Sequence, residues 1–250
     1  MQHENLVNNL MQEQPYRLLF CVISGAHLFG FPSPDSDIDI RGVHILPLEQ
    51  VISLKTPKDT INLDRIVDGI EPDLTTHDAK KFFELLLKKS GNTVEQIFSP
   101  LVMHTTPEHE ELKAIVPQTL TVHHAHHYFG FSQRKWHDFL NKKTAKALLY
   151  VYRVLLTGIH LMSTHEVQSN LVILNETYKL PYIDDLIARK MTHTEKGILP
   201  DADMEFYEQE YKTLTNRLED ARDTSTLPQH PAGKEALSDL LVRIRLKTQE

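Results

Sequence analysis

Short apolar runs in the first hundred residues predict β-strands. Residues 16–24 predict a short buried strand, because residues 18–23 are continuously apolar. Residues 37–45 begin with polar and apolar side chains in alternation, which is the period of a half-buried strand. Residues 69–75 predict a third short strand. These segments together indicate a small sheet near the beginning of the chain.

A helix is predicted over residues 78–90, where apolar side chains form one stripe. Thr75 or Thr76 is positioned to cap its beginning, and Gly91 is positioned to end it. A second short helix is predicted over residues 93–98. Helices are therefore expected beside the sheet.

Beyond residue 117 the pattern predicts helices and no strand. The predicted helices cover residues 126–139, 143–162, 170–176, 183–191, 203–222 and 234–246. This segregation predicts an α+β protein, with a small mixed sheet and flanking helices followed by an all-helical C-terminal region. We expect two domains, over residues 1–110 and 111–250, with the boundary near Pro107 and Pro117.

Composition narrows the class of protein. The chain has 250 residues, 40% of them hydrophobic, and a net charge of −7, so the whole molecule does not attract nucleic acid. The single cysteine, Cys21, excludes an intramolecular disulfide and fits a reducing compartment. Residues 1–15 lack a signal-peptide core, and no apolar stretch approaches the ~20 residues of a membrane span. We expect a cytoplasmic protein without a membrane partner.

The chemistry is indicated by Asp37 and Asp39, which follow an apolar strand and a glycine-containing turn. Carboxylates two residues apart on a strand point to the same face. Like charges held this close favour a bound cation, and Mg²⁺ prefers such oxygen ligands. The pair therefore predicts a Mg²⁺ site, with Mn²⁺ as the alternative ion. The turn supplies backbone N–H groups that suit phosphate oxygens.

This stretch resembles the motif of the DNA polymerase β-type nucleotidyltransferase superfamily. It resembles more closely a bacterial and phage group, the RNA-ligase-associated or YcgL-like family. The matching residues are Gly25, His27, Phe29, Gly30, Asp35, Ser36, Asp37, Asp39, Arg41 and Gly42. Further similarity lies at residues 73–82, at Glu95, and at Lys146 and Arg153, which are seven residues apart.

The resemblance implies nucleotide binding by the turn that contains Ser24, Gly25, Ala26 and His27. His27 could contact phosphate or substrate, and a local hydrogen bond is an equal alternative. The family has a serine where this chain has Ala26. The missing hydroxyl would cost ~1 kcal/mol for a neutral hydrogen bond and up to ~3 kcal/mol for a charged one.

A third carboxylate is implied on a neighbouring strand, where it would help to activate the attacking hydroxyl. Asp73 is our candidate and Glu71 is the alternative. Asp73 could instead have only a structural role, at the start of a turn. A carboxylate more than about 8 Å from Asp37 and Asp39 could not share a metal with them.

Basic residues give the remaining candidates. Arg41 shares the strand face of the carboxylates and could either neutralise polyphosphate or pair with them. Lys146 and Arg153 are expected to bind nucleotide because of the family spacing, whereas the other basic residues of 132–162 are expected to be solvated. The histidines of 123–127 lack the cysteine or glutamate partners of a zinc site.

We therefore expect a nucleotidyltransferase that moves a nucleoside monophosphate from a nucleoside triphosphate to an acceptor hydroxyl and releases pyrophosphate. Asp37, Asp39 and Asp73 would be the catalytic and metal-binding residues. The acceptor could be RNA, a protein or a small molecule. The alternative is a non-catalytic nucleotide- or RNA-binding relative that kept the fold.

Overall fold

A computed structural model describes residues 13–34, 36–55, 57–63, 73–192, 198–199 and 203–247. The chain forms two compact units. The first, which we call the sheet unit, contains residues up to Leu28, Asp37–Thr119 and the segment from His230 on. The second, the helical unit, contains Phe29–Ser36 and Leu120–Gln229.

The sheet unit is built on a mixed five-stranded sheet in the order β3-β4-β2-β1-β5. Its strands are β1 Leu18–Ile23, β2 Asp39–His44, β3 Thr60–Leu63, β4 Asp73–Asp78 and β5 Val102–His104. Strands β2 and β4 are parallel, and the other neighbouring pairs are antiparallel. The predicted small mixed sheet is confirmed, although β3 and β5 were not foreseen.

The helices in chain order are α1 Gly25–Phe29, α2 Leu48–Val51, α3 Ala79–Leu87, α4 Gly91–Ile97, α5 Pro107–Ile115, α6 His124–Lys142, α7 Ala145–Thr164, α8 Leu171–Tyr178, α9 Pro181–Thr192, α10 Met204–Thr224 and α11 Lys234–Lys247. The α+β class and the helical C-terminal region are confirmed. After β5, the strand pairing among the described residues is limited to one isolated bridge, between Thr144 and Ile198.

The division into domains at residue 110 stays a prediction. The two compact units also meet in sequence near this point, at Thr119 and Leu120. They differ from the expected segments in two places. Phe29–Ser36 is grouped with the helical unit, and α11 belongs to the sheet unit, where it packs against α3 and α5.

The end of β4 corrects the prediction for helix α3. Residues 69–72 of the predicted strand lie outside the described residues, and β4 continues to Asp78. Thr75 and Thr76 are therefore strand residues, and Asp78 caps α3 by accepting a hydrogen bond from the Lys80 N–H at 3.0 Å. Gly91 begins α4 instead of ending α3.

The core of the sheet unit starts with β1, whose first five residues are all buried. Cys21 is among them, and burial raises the pKa of its thiol to about 12. Such a thiol stays protonated at neutral pH and contributes as a small apolar side chain. Ile40 and Leu74 extend the same cluster on β2 and β4, so the strands that carry the candidate carboxylates are fixed from beneath.

Helix α7 is the core of the helical unit and packs on α6, α9 and α10. It has 20 residues and a mean hydropathy of 1.3, so the expectation that no apolar stretch approaches membrane-span length is wrong. However, 72% of its apolar window is buried inside the protein, as in the core helix of a globular domain. No other helix among the described residues meets these criteria.

Candidate active site

Gly25 lets the chain leave β1 directly beneath a carboxylate. Its φ is +60°, and a Cβ at this position would lie 1.8 Å from Oδ2 of Asp39. The Ser24 N–H donates to the Asp39 carbonyl at 2.8 Å and fixes the same approach through the backbone. Any side chain on residue 25 would therefore displace the Asp39 carboxylate, which explains glycine here by both conformation and space.

Asp39 and Asp73 are brought together by the parallel pairing of β2 and β4, in which they are register partners. One nitrogen, Nη2 of Arg41, contacts Oδ1 of Asp39 at 3.0 Å and Oδ2 of Asp73 at 2.6 Å. The two oxygens cannot be further apart than the sum of these distances. Asp73 therefore lies within the limit of about 8 Å for a metal shared with Asp39.

Arg41 is held by backbone as well as by carboxylates. Its Nη1 donates to the Ile40 carbonyl at 2.9 Å and to the Asp73 carbonyl at 2.6 Å. Its side chain is only 22% exposed, compared with 27% for Asp39 and 54% for Asp73. Of the two alternatives drawn from the sequence, pairing of Arg41 with the carboxylates is the one present in this structure.

The surroundings of Asp39 disfavour its charged form. Burial raises the pKa of its carboxyl, the Arg41 guanidinium lowers it, and the Asp73 and Asp37 carboxyls raise it again, with a net upward shift. Asp37 is exposed and precedes β2, which begins at Asp39 instead of residue 37. The Asp73 and Asp37 carboxyls thus both disfavour the charged form of Asp39, and a cation beside Asp39 would relieve this repulsion.

The rest of the predicted nucleotide turn forms helix α1, a short helical turn. The Leu28 N–H donates to the Ser24 carbonyl at 3.4 Å. The side chain of Ala26 is buried, with 5% exposure. His27 is partly buried, and its Nε2 has no hydrogen-bond partner among the described residues. This nitrogen is itself buried.

Lys146 and Arg153 lie on α7 in the helical unit. Lys146 lines a cleft of about 600 Å³ together with Lys135, Lys142 and Tyr150. Lys135 and Lys142 were expected to be merely solvated. Their spacing of seven on α6 is the signal that they share a helix face with each other.

Arg153 occupies a different environment from Lys146. Its side chain is 1% exposed, and its guanidinium lies over the ring of Phe29, 3.9 Å from the centroid. Such contacts between a cation and an aromatic face stabilise a buried arginine. The predicted nucleotide-binding role of Arg153 stays a prediction.

The histidines of 123–127 form ring contacts and local hydrogen bonds. His123 stacks on His126 with centroids 5.8 Å apart, and the Thr121 N–H donates to Nδ1 of the buried His124 at 3.2 Å. Burial and the nearby Arg153 lower the pKa of His127 to about 4. Across the part of the chain that the structure describes, no three His, Cys, Asp or Glu side chains are arranged to hold a metal ion.

The sheet unit has the form expected of a polymerase β-type protein, with strand-borne carboxylates beside a glycine-initiated helical turn. The model of the RlaP family, described as the RNA repair pathway DNA polymerase beta family, matches residues 2–243. The chain belongs to this family.

Two relatives share part of the chain. A protein of Methanocaldococcus jannaschii, the uncharacterized protein MJ0002, is 32% identical over 156 residues, which cover 61% of this chain and 63% of that protein. The uncharacterized protein YcgL of Bacillus subtilis is 28% identical over 148 residues, which cover 56% of this chain and 54% of that protein. The matches therefore span less than two thirds of these relatives.

Proposed function

We propose that the protein is a Mg²⁺-dependent nucleotidyltransferase. An acceptor hydroxyl attacks the α-phosphate of a nucleoside triphosphate, the new phosphodiester forms, and pyrophosphate leaves with the electrons of the broken bond. The polymerase β-type family supports the reaction class. The observation that carries the proposal is the convergence of Asp39 and Asp73 on one cation, Arg41, above Gly25.

The chemistry of the donor set, rather than its arrangement in this structure, suits a Mg²⁺ ion. The donors are carboxylate oxygens, which this ion prefers, and the absent Cβ of Gly25 leaves the space that Asp39 Oδ2 occupies. Asp37, Asp39 and Asp73 would hold the ion, and Mn²⁺ could replace it. When bound, the metal supplies positive charge against the phosphate oxygens. Asp73 would also orient the acceptor hydroxyl, because it is the more exposed of the paired carboxylates.

The nucleotide contacts are proposed residue by residue. Gly25 and Ala26 would offer backbone N–H groups to the β- and γ-phosphates. Ser24 would contact the nucleotide through its side chain, because its own N–H donates to the Asp39 carbonyl. His27 would contact phosphate or acceptor. Arg41, Lys146 and Arg153 are proposed as the cationic nucleotide-binding residues. These assignments rest on the family resemblance and on the cationic character of the side chains.

RNA is the acceptor that we favour over a protein or a small molecule. The description of the family places it in an RNA repair pathway. The net charge of −7 opposes non-specific binding of a polyanion, so an RNA acceptor would be engaged locally. The lysines around the cleft of the helical unit are the local positive charge that suits it.

Transfer can be tested with purified protein, Mg²⁺, each labelled nucleoside triphosphate, and RNA with a free 3′ hydroxyl. Label should move to RNA in the native protein and fail to do so in the Asp37→Asn, Asp39→Asn double variant. Asp59→Asn is the matched control, because Asp59 is an exposed carboxylate of the sheet unit that pairs with Lys81. Full activity of the double variant would contradict the mechanism.

A non-catalytic, nucleotide- or RNA-binding role is the second candidate. Two observations favour it: residue 26 has no hydroxyl, and the described His, Cys, Asp and Glu side chains are not arranged to hold a metal in the present conformation. This candidate predicts nucleotide binding without label transfer to RNA, protein or small molecules under any metal condition. Equilibrium binding measured beside the transfer assay separates the two.

A further inference from the structure

Arg41 occupies the position at which a cation would bridge Asp39 and Asp73. Its Nη2 touches one oxygen of each carboxylate, and its Nη1 is fastened to two backbone carbonyls. The guanidinium therefore already neutralises the repulsion between two carboxylates on adjacent strands. Four hydrogen bonds to one side chain, spread over two strands, fix it in this place.

A metal ion and this guanidinium exclude each other. Mg²⁺ requires its oxygen ligands at about 2.1 Å, closer than the 3.0 Å and 2.6 Å contacts that Nη2 makes. An ion shared by the same two oxygens would lie against a positively charged nitrogen. Arg41 must therefore withdraw from these two oxygens before they can share a divalent ion.

Polyphosphate offers Arg41 an alternative binding partner. A guanidinium binds phosphate oxygens in a bidentate manner, and such charge-assisted bonds are among the strongest hydrogen bonds in proteins. The arginine lies on the same strand as Asp39, two residues away, so a nucleotide bound at the carboxylates is within its reach. Bare metal offers no such replacement for the lost contacts.

We propose that Arg41 is the resident counter-ion of the Asp39–Asp73 pair, and that it couples metal binding to nucleotide binding. The guanidinium weakens the binding of a divalent ion in the absence of nucleotide. A triphosphate binds the Arg41 guanidinium and so releases the carboxylates. By linkage, the nucleotide raises the affinity for metal by the same factor by which metal raises the affinity for nucleotide. This inference rests on the proposed function, because it assigns the metal to these carboxylates.

The test measures Mn²⁺ binding by electron paramagnetic resonance, without and with a non-hydrolysable ATP analogue. Arg41→Gln should bind Mn²⁺ alone roughly fivefold more tightly than the native protein, since an ion pair of modest strength no longer competes. The enhancement of Mn²⁺ binding by the analogue should shrink in the same variant. Neither readout requires turnover.

Two further variants keep the result interpretable. Lys81→Gln removes the same unit charge near the opposite end of β4, where Lys81 pairs with Asp59 at 2.8 Å, and should leave Mn²⁺ binding unchanged. Arg41→Lys keeps the charge but cannot reach both carboxylates and both carbonyls at once, so its Mn²⁺ affinity should be intermediate. It also serves if Arg41→Gln folds poorly.

The outcomes separate this inference from the proposed function. If Arg41→Gln binds Mn²⁺ alone no more tightly than the native protein, Arg41 is not a competing counter-ion, even where Asp39→Asn abolishes Mn²⁺ binding. If Mn²⁺ binds neither the native protein nor Arg41→Gln, with or without the analogue, both the inference and the metal site of the proposed function fail.

Discussion

Strand β4 carries an aspartate at each end, and the two ends have opposite character. Asp73 at the beginning is 54% exposed and shares Arg41 with a second carboxylate. Asp78 at the end is 5% exposed and pairs with Arg245, itself 7% exposed. The same strand therefore holds an open ionic cluster and a closed ion pair about five residues apart along its sequence.

The hydrogen bonds explain which end can take a ligand. The oxygens of Asp78 accept from Arg245 at 2.7 Å and 2.6 Å, from the Leu46 N–H at 3.1 Å and from the Lys80 N–H at 3.0 Å. Among the described residues, Asp73 accepts from the side chain of Arg41, whose place another cation can take. A buried, fully bonded carboxylate belongs to the fold, whereas a shared and exposed one is free to do chemistry.

The comparison is sharpest in the Asp73→Ala variant, which has the largest expected effect. Turnover should fall by orders of magnitude, because the acceptor hydroxyl loses its orienting carboxylate. Nucleotide binding should stay nearly unchanged, since Asp37 and Asp39 remain. Stability should change little, because exposed ion pairs contribute roughly 0–1 kcal/mol. Single-turnover kinetics and nucleotide titration measure the two quantities separately.

Asp59→Ala is the matched control, since it removes an exposed carboxylate that also pairs with a basic side chain. It should retain native turnover. If Asp73→Ala instead loses stability and keeps its turnover per folded molecule, Asp73 has only a structural role. Glu71, which lies outside the described residues, would then be the carboxylate to test.

Asp78→Ala should affect stability in place of turnover. The substitution leaves the buried Arg245 without its carboxylate partner and removes the cap of α3. Breaking a buried ion pair in this way costs about 3–5 kcal/mol. Urea unfolding followed by circular dichroism measures the loss. The activity per folded molecule should be native at low temperature. A loss under about 1 kcal/mol would show that Arg245 finds other partners and that the closed end of β4 is not held by this pair.

The local parts of the site could be predicted from the sequence, and the long-range parts could not. Gly25 and Asp39 stand out because a glycine turn and alternating carboxylates are patterns of neighbouring residues. The partner of Asp78 lies 167 residues away on α11, beyond any periodicity. The length of β4 also depends on pairing with β2, so a stretch containing Thr75 and Thr76 became strand where local rules indicated a helix cap.

The segment that ends α3 illustrates the same limit. Glycine is the usual residue after a helix, but Lys89 adopts the left-handed conformation here, with φ of +64°. Gly91 begins the next helix instead. The position of α4 is set by tertiary packing, because its Val94 and Ile97 are completely buried. Burial outweighed the preference of glycine for a helix end.

Gly25→Ala should have a smaller effect on stability than Asp78→Ala but should damage the open site directly. The left-handed conformation costs a non-glycine residue about 1–2 kcal/mol. The new Cβ must also move Asp39, since it would lie 1.8 Å from its Oδ2. We therefore expect weakened Mn²⁺ binding together with a modest loss of stability.

Gly130→Ala is the control, because Gly130 has no positive φ and a Cβ there meets only the Arg134 side chain at 3.7 Å. Native metal affinity in Gly25→Ala would mean that Asp39 is not a ligand.

Ala26→Ser has the smallest expected effect and tests where the phosphates lie. The side chain of Ala26 is 5% exposed on the short helix α1, so an added hydroxyl must find a partner. Residue 26 lies in the first turn of α1, and the difference in helix propensity between serine and alanine keeps the expected stability loss below about 1 kcal/mol. If the backbone of this turn holds the triphosphate, the hydroxyl adds one donor beside it. Nucleotide affinity should then be maintained or rise up to about fivefold, the equivalent of one neutral hydrogen bond.

Isothermal titration with a non-hydrolysable triphosphate measures this change, and Ala26→Val controls for added bulk without a donor. A marked loss of affinity in the serine variant, with the fold intact, would show that the turn does not lie on the phosphates. The nucleotide would then have to be held by the carboxylate-bound metal and basic side chains alone.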